Sequence, residues 1–124
     1  MNTFLNIDCM DKDRGMPSYP DKYFDLAIVD PVYMDGFNVN MWVDVKGVNK
    51  DYKNKTQTIS VKTGINYFDE LFRVSKNQIV WGGNYFILPI SRGWVVWDKD
   101  NSENNFSDCE LAWTSFDCIL RVIS

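Results

Sequence analysis

Apolar residues along this chain fall into short runs separated by polar connections rich in Gly, Pro and Asn. The sharpest run is Phe24-Asp25-Leu26-Ala27-Ile28-Val29, which stops at Asp30-Pro31-Val32-Tyr33. Leu26 to Val29 show no alternation, which predicts a strand buried on both faces. Pro31 fixes its own φ and has no N–H, so the strand ends there. Thr3-Phe4-Leu5-Asn6-Ile7 predicts a first short strand running into Asp8-Cys9-Met10. Residues 11–23, broken by Gly15, Pro17 and Pro20, read as connection. From Gly64 to Ser75, the positions Ile65, Phe68, Leu71, Phe72 and Val74 recur at spacings of three and four, a helix with one apolar face on a sheet. Gln78–Trp81 is the next buried strand, broken by Gly82-Gly83, and Asn84–Leu88 suits a short helix before Pro89. Gly93–Trp97 and Cys118–Ile123 predict two further strands, and around Phe106–Thr114 the period does not choose between helix and strand. No internal repeat appears. Strands alternating with helical or loop crossovers predict one α/β domain over residues 1–124, a mostly parallel sheet with flanking helices.

Composition narrows the chemistry. At 124 residues and 45% hydrophobic the chain suits one domain with a core. It has no run of membrane-spanning length and no leader-like N-terminus, so a cytoplasmic protein without membrane contact is expected. Three cysteines without a C-x-x-C spacing signal neither a disulfide framework nor a zinc site. With 0 histidines, Ser-His-Asp and Cys-His nucleophile systems and most catalytic zinc sites are excluded. A net charge of −4 argues against general coating of nucleic acid. A local basic segment nevertheless stands out: Lys46, Lys50, Lys53 and Lys55, with Lys62, lie in a polar stretch at about 37–62 that predicts a mobile loop.

The turn after the strand carries the chemistry. Asp30 offers a carboxylate and Pro31 a rigidly held carbonyl, so together they accept two hydrogen bonds from one amino group. Tyr33 offers a flat face for a planar ring. This suits a planar heterocycle with an exocyclic amine, which in duplex DNA must first leave the stack. An Asp-Pro turn with a tyrosine at the core edge is the purely structural alternative.

The strand with Asp30-Pro31-Val32-Tyr33 resembles the Asp-Pro-Pro-Tyr signature of the amino-group DNA methyltransferases, which act on adenine N6 or cytosine N4. Asn6-Ile7-Asp8-Cys9-Met10 is similar to the acidic-Cys segment that opens many of them. Glu70–Lys76 followed by Ile79–Asn84, then Trp94–Lys99 and Asp108–Trp113, resemble further family blocks in order. The resemblance runs to about Asp117 and implies the permuted class, with the catalytic half first and a partial Rossmann-like fold. It implies that Asp30 and the Pro31 carbonyl bind the target amine and that Tyr33 stacks on the flipped base. It also implies that Asp8, Cys9 and Asp30 lie by S-adenosylmethionine, and that Phe106 helps wall the base pocket. The lysines of the 37–62 loop would meet DNA phosphates, making binding salt-sensitive. Asp at the first signature position leans towards adenine.

Two departures qualify this. Val32 replaces the family's usual second proline, which relaxes the turn and restores an N–H. None of the 7 glycines builds a strand–G-x-G–helix cofactor turn. The expectation is a catalytic half from a split or truncated restriction-modification or prophage enzyme, weak or inactive alone. Its partner would be a complementary half or a second copy of itself. The competing expectations are a non-catalytic binding module or subunit, and an RNA or protein amino-group methyltransferase.

Overall fold

A computed structural model of the chain describes residues 2–31, 65–101 and 107–124. The apolar runs become β1 (Phe24–Val29), β2 (Ser75–Trp81), β3 (Trp94–Asp98), β4 (Cys109–Thr114) and β5 (Arg121–Ile123). They form one sheet in the order β1-β2-β4-β3-β5. β1 and β2 are parallel, with Ala27 beside Gln78 and Val29 beside Val80. β4 runs antiparallel to both β2 and β3, and β5 is parallel to β3. The sheet is therefore mixed: β1, β2, β3 and β5 share a direction and β4 opposes it.

The predicted helix is α1 (Ile65–Val74). Its spacing buries Leu71 and Val74 and brings Phe68 and Phe72 against the sheet. Leu71, Val80 and Trp113 are the centre of the core, and Phe72 meets Trp113 edge-on at 5.9 Å. The helix stops because its last carbonyls are taken from outside. The Lys22 N–H donates to Arg73 O at 2.8 Å, and Lys22 Nζ donates to Phe72 O and Ser75 O at 2.6 and 3.1 Å. A cation at that end also suits the helix dipole. The chain enters β2 at Ser75 without a loop. Arg73 then ties α1 to the N-terminal segment, binding Glu70, Asp21 and the carbonyls of Met16 and Tyr19.

Several expectations are corrected. β1 is not buried on both faces, and among the described residues it pairs only with β2. Ala27 and Val29 pack towards the core, while Leu26 and Ile28 remain 43% and 62% exposed on the other side. A continuous apolar run does not distinguish a strand covered on both faces from one that has an uncovered face. Thr3–Ile7 forms no strand; nothing pairs with it, and Phe4 is 91% exposed. β2 begins at Ser75, earlier than the predicted Gln78. Asn84–Leu88 contains only part of a 3-10 turn, Gly83–Tyr85, and β5 is shorter than predicted. The undecided segment is a strand, β4. Only one α-helix flanks the sheet among the described residues. None of the helices there is long and apolar enough to cross a membrane.

Strand alternation and register sort the sheet into two faces. Ala27, Val29, Gln78, Val80 and Trp113 lie on the side covered by α1. Leu26, Ile28, Ile79, Trp81, Val95 and Trp97 lie on the other, where no helix of the described residues packs.

Candidate functional site

The shared direction of β1, β2 and β3 places their C-terminal ends on one edge: Asp30-Pro31, Gly82-Gly83 and Asp98-Lys99. In open α/β sheets this is the edge where ligands bind. Asp30 is exposed there and Pro31 is buried, so the ring anchors the turn and the carboxylate faces outward.

The N-terminal segment is fixed by its own backbone rather than by pairing. Asp8 Oδ1 accepts the Met10 N–H at 2.8 Å, and Asp11 Oδ1 accepts those of Asp13 and Arg14 at 3.0 and 2.9 Å. The Cys9 carbonyl accepts the Met16 N–H at 2.7 Å. Gly15 makes this fold-back possible: a Cβ there would stand 2.5 Å from Cys9 O. The two amide hydrogen bonds hold the Asp11 carboxyl below its usual range. Cys9 counts as exposed, yet partial desolvation of its sulfur, and then the Asp8 charge, raise its thiol. It is therefore held as a thiol and not as a reactive thiolate.

Tyr67, in the first turn of α1, packs against the core. Burial raises its hydroxyl well above the ordinary tyrosine range, and the charges of Cys9 and Asp30 raise it further. Both groups therefore lie within electrostatic reach of one phenol. The resemblance grouped Cys9 with Asp30 but said nothing of Tyr67. Its signal in the sequence was a hydroxyl on the apolar face of a helix, at the end nearest the strand termini.

Further along the same edge, Trp81 and Trp97 meet edge-on at 6.2 Å. Lys99 Nζ lies 5.7 Å from the Trp97 ring centroid and pairs with Glu110. Glu110 is thus a surface ion-pair partner. Trp113 is buried in the core, its indole N–H donating to Pro89 O at 2.8 Å. Tyr33, Phe106, Lys46, Lys50, Lys53 and Lys55, and the loop at 37–62, lie outside the described residues.

The fit to S-adenosylmethionine is incomplete. The carboxylates of Asp8 and Asp30 suit hydroxyl or ammonium donors. Gly82-Gly83, however, is not a nucleotide cradle: a Cβ on Gly83 would meet Trp113 Cβ at 2.5 Å, so that glycine serves core packing. A cleft of about 390 Å³ does exist, but it is lined by Phe72, Gln78, Pro89, Trp113, Ser115 and Phe116 at the opposite end of the strands. No family model matches the sequence, and no curated protein or solved structure matches it significantly.

Proposed function

We propose that this chain is the catalytic half of a DNA amino-group methyltransferase, acting on adenine N6 in the cytoplasm. The observation that carries the reading is the position of Asp30-Pro31. An outward carboxylate and a ring-locked carbonyl stand at the C-terminal end of a parallel strand. In this reading the two oxygens accept both N–H bonds of the target amine. Accepting them draws the nitrogen lone pair out of conjugation, which makes it the nucleophile. Tyr33 stacks on the extruded base. Because none of the 7 glycines builds a strand–G-x-G–helix turn, the methyl donor is held largely by groups from a complementary polypeptide that carries one. The finer fold assignment, part of a Rossmann-like methyltransferase domain, belongs to the same proposal.

The test is transfer of radiolabelled methyl from S-adenosylmethionine to unmethylated DNA by the 124-residue chain, alone and with a candidate complementary half. Transfer is expected only in the mixture. Asp30→Ala should abolish it, and an active Asp30→Ala protein would refute the site. Robust transfer by the chain alone would refute the half-enzyme reading. A non-catalytic subunit is the second reading. It is favoured by the uncovered sheet face, and it predicts DNA or partner binding unchanged by Asp30→Ala.

A further inference from the structure

We infer that the cleft between the start of β2 and the end of β4 is a second binding site, for a small uncharged molecule with a planar amide edge attached to a ring. The cleft holds about 390 Å³, a size that suits a compact organic ligand. Phe72, Trp113, Phe116 and Pro89 form its apolar part, and Gln78 and Ser115 its polar part. It lies at the other end of the strands from Asp30-Pro31, so it stands apart from the function proposed above.

The side-chain amide of Gln78 decides what the cleft can recognise. Gln78 is 4% exposed, and both hydrogens of its amide are taken. Nε2 donates to Ser75 O at 3.0 Å and to Ser75 Oγ at 2.9 Å. Ser75 Oγ in turn donates to Leu71 O, so it is the acceptor towards Gln78. A backbone carbonyl can only accept, which fixes the orientation of the amide and leaves Oε1 over. Among the described residues no group donates to that oxygen. The only unpaired side-chain polar atom sealed from solvent there is on Asn101, so Oε1 opens on the cleft that Gln78 lines.

Ser115 supplies the opposite half. Its Oγ accepts the Gln78 backbone N–H at 2.9 Å, and its hydroxyl proton has no acceptor among the described residues. Ser91, the other hydroxyl on the cleft, has both roles filled: it donates to Thr114 O at 2.6 Å and accepts the Gly93 N–H at 3.0 Å. The Trp113 indole N–H is taken by Pro89 O. The side chains therefore leave one acceptor and one donor on adjoining segments, the pair that an amide N–H and C=O complete. An acceptor left unmade in a nearly buried residue is costly, and a ligand donor removes that cost. The charges at the rim cancel: Arg92 pairs with Asp117 at 2.9 Å, which favours a neutral ligand.

Benzamide is the probe, and methyl benzoate is the control that keeps the ring and carbonyl but lacks the N–H. Proton–nitrogen correlation spectra of the full chain, titrated with each, should show saturable shifts at the Trp113 indole N–H and the Ser115 and Phe116 amides. Benzamide should bind with a dissociation constant on the order of millimolar, as suits so small a ligand, and methyl benzoate about tenfold more weakly. Gln78→Met keeps the length and removes the acceptor. It should bring benzamide down to the affinity of methyl benzoate and leave the ester unchanged. If circular dichroism shows that Gln78→Met does not fold, Phe116→Ala, at a side chain 39% exposed, serves instead and should weaken both probes several-fold. Equal affinity for the two probes overturns the inference, as does a folded Gln78→Met protein that still prefers benzamide. So do shifts that never saturate, shifts gathered at Asp30 rather than at the cleft, or a Phe116→Ala protein that binds both probes as the parent does.

Discussion

Gly83 and Tyr67 are single positions whose roles are set by their immediate neighbours. A methyl group at Gly83 would have to displace the Cβ of buried Trp113, 2.5 Å away. Gly83→Ala should therefore destabilise the fold by about 1–3 kcal/mol, read from a urea melt at unchanged slope. Tyr67 is an acid whose folded pKa is raised, first by burial and then by Cys9 and Asp30. Its contribution to stability is complete below the ordinary tyrosine pKa and is lost as pH rises above it. Tyr67 should ionise above the ordinary tyrosine range in an ultraviolet titration. Tyr67→Phe should remove that late step and flatten the alkaline loss of stability. Glu70 works in the opposite sense. Its hydrogen bonds from Arg73 lower its carboxyl pKa, so the stability it brings is present above the ordinary glutamate pKa and is lost as pH falls below that range. Melting temperature should fall on acidification in that window, and Glu70→Gln should make the fall shallower.

At the scale of elements, burial and pairing decide what local pattern cannot. The helix was legible because Phe68, Leu71 and Phe72 share one face, and the structure seats that face on Val80 and Trp113. Leu71 is 1% exposed, so Leu71→Ala should cost about 2–5 kcal/mol in a denaturant melt. β1 was legible as a strand but not as one open on one face, because an uncovered apolar face looks the same in sequence as a covered one. β4 was ambiguous because Cys109 to Thr114 is too short for its period to show, and its identity comes from two neighbours contributed by distant parts of the chain. Thr3–Ile7 has strand-like composition but no pairing partner, and the chain beyond it is shaped by turns that Asp8 and Asp11 close. The candidate site was half legible. Asp30-Pro31 follows from the strand's end, whereas the fold-back that sets the place of Cys9 depends on the close approach at Gly15.

For the whole molecule, the asymmetry of the sheet is the dominant fact. α1 covers one face over β2, and the other presents Leu26, Ile28 and Trp97 to solvent, each more than 40% exposed. Exposed apolar side chains of this kind bind hydrophobic probes. The chain should enhance the fluorescence of a hydrophobic dye while still melting cooperatively. Loss of dye binding without loss of cooperativity in an Ile28→Lys, Trp97→Lys double variant would locate the dye on this face. The junction of Lys22 with Arg73 and Ser75 has a different consequence. It clamps the start of β1 to the end of α1, and β1 is separately zipped to β2 from Phe24 to Val29. The start of β1 is therefore held twice over, and Lys22→Ala, which removes the side-chain half of the clamp, should speed amide exchange in the β1–β2 pair before it affects the rest of the sheet.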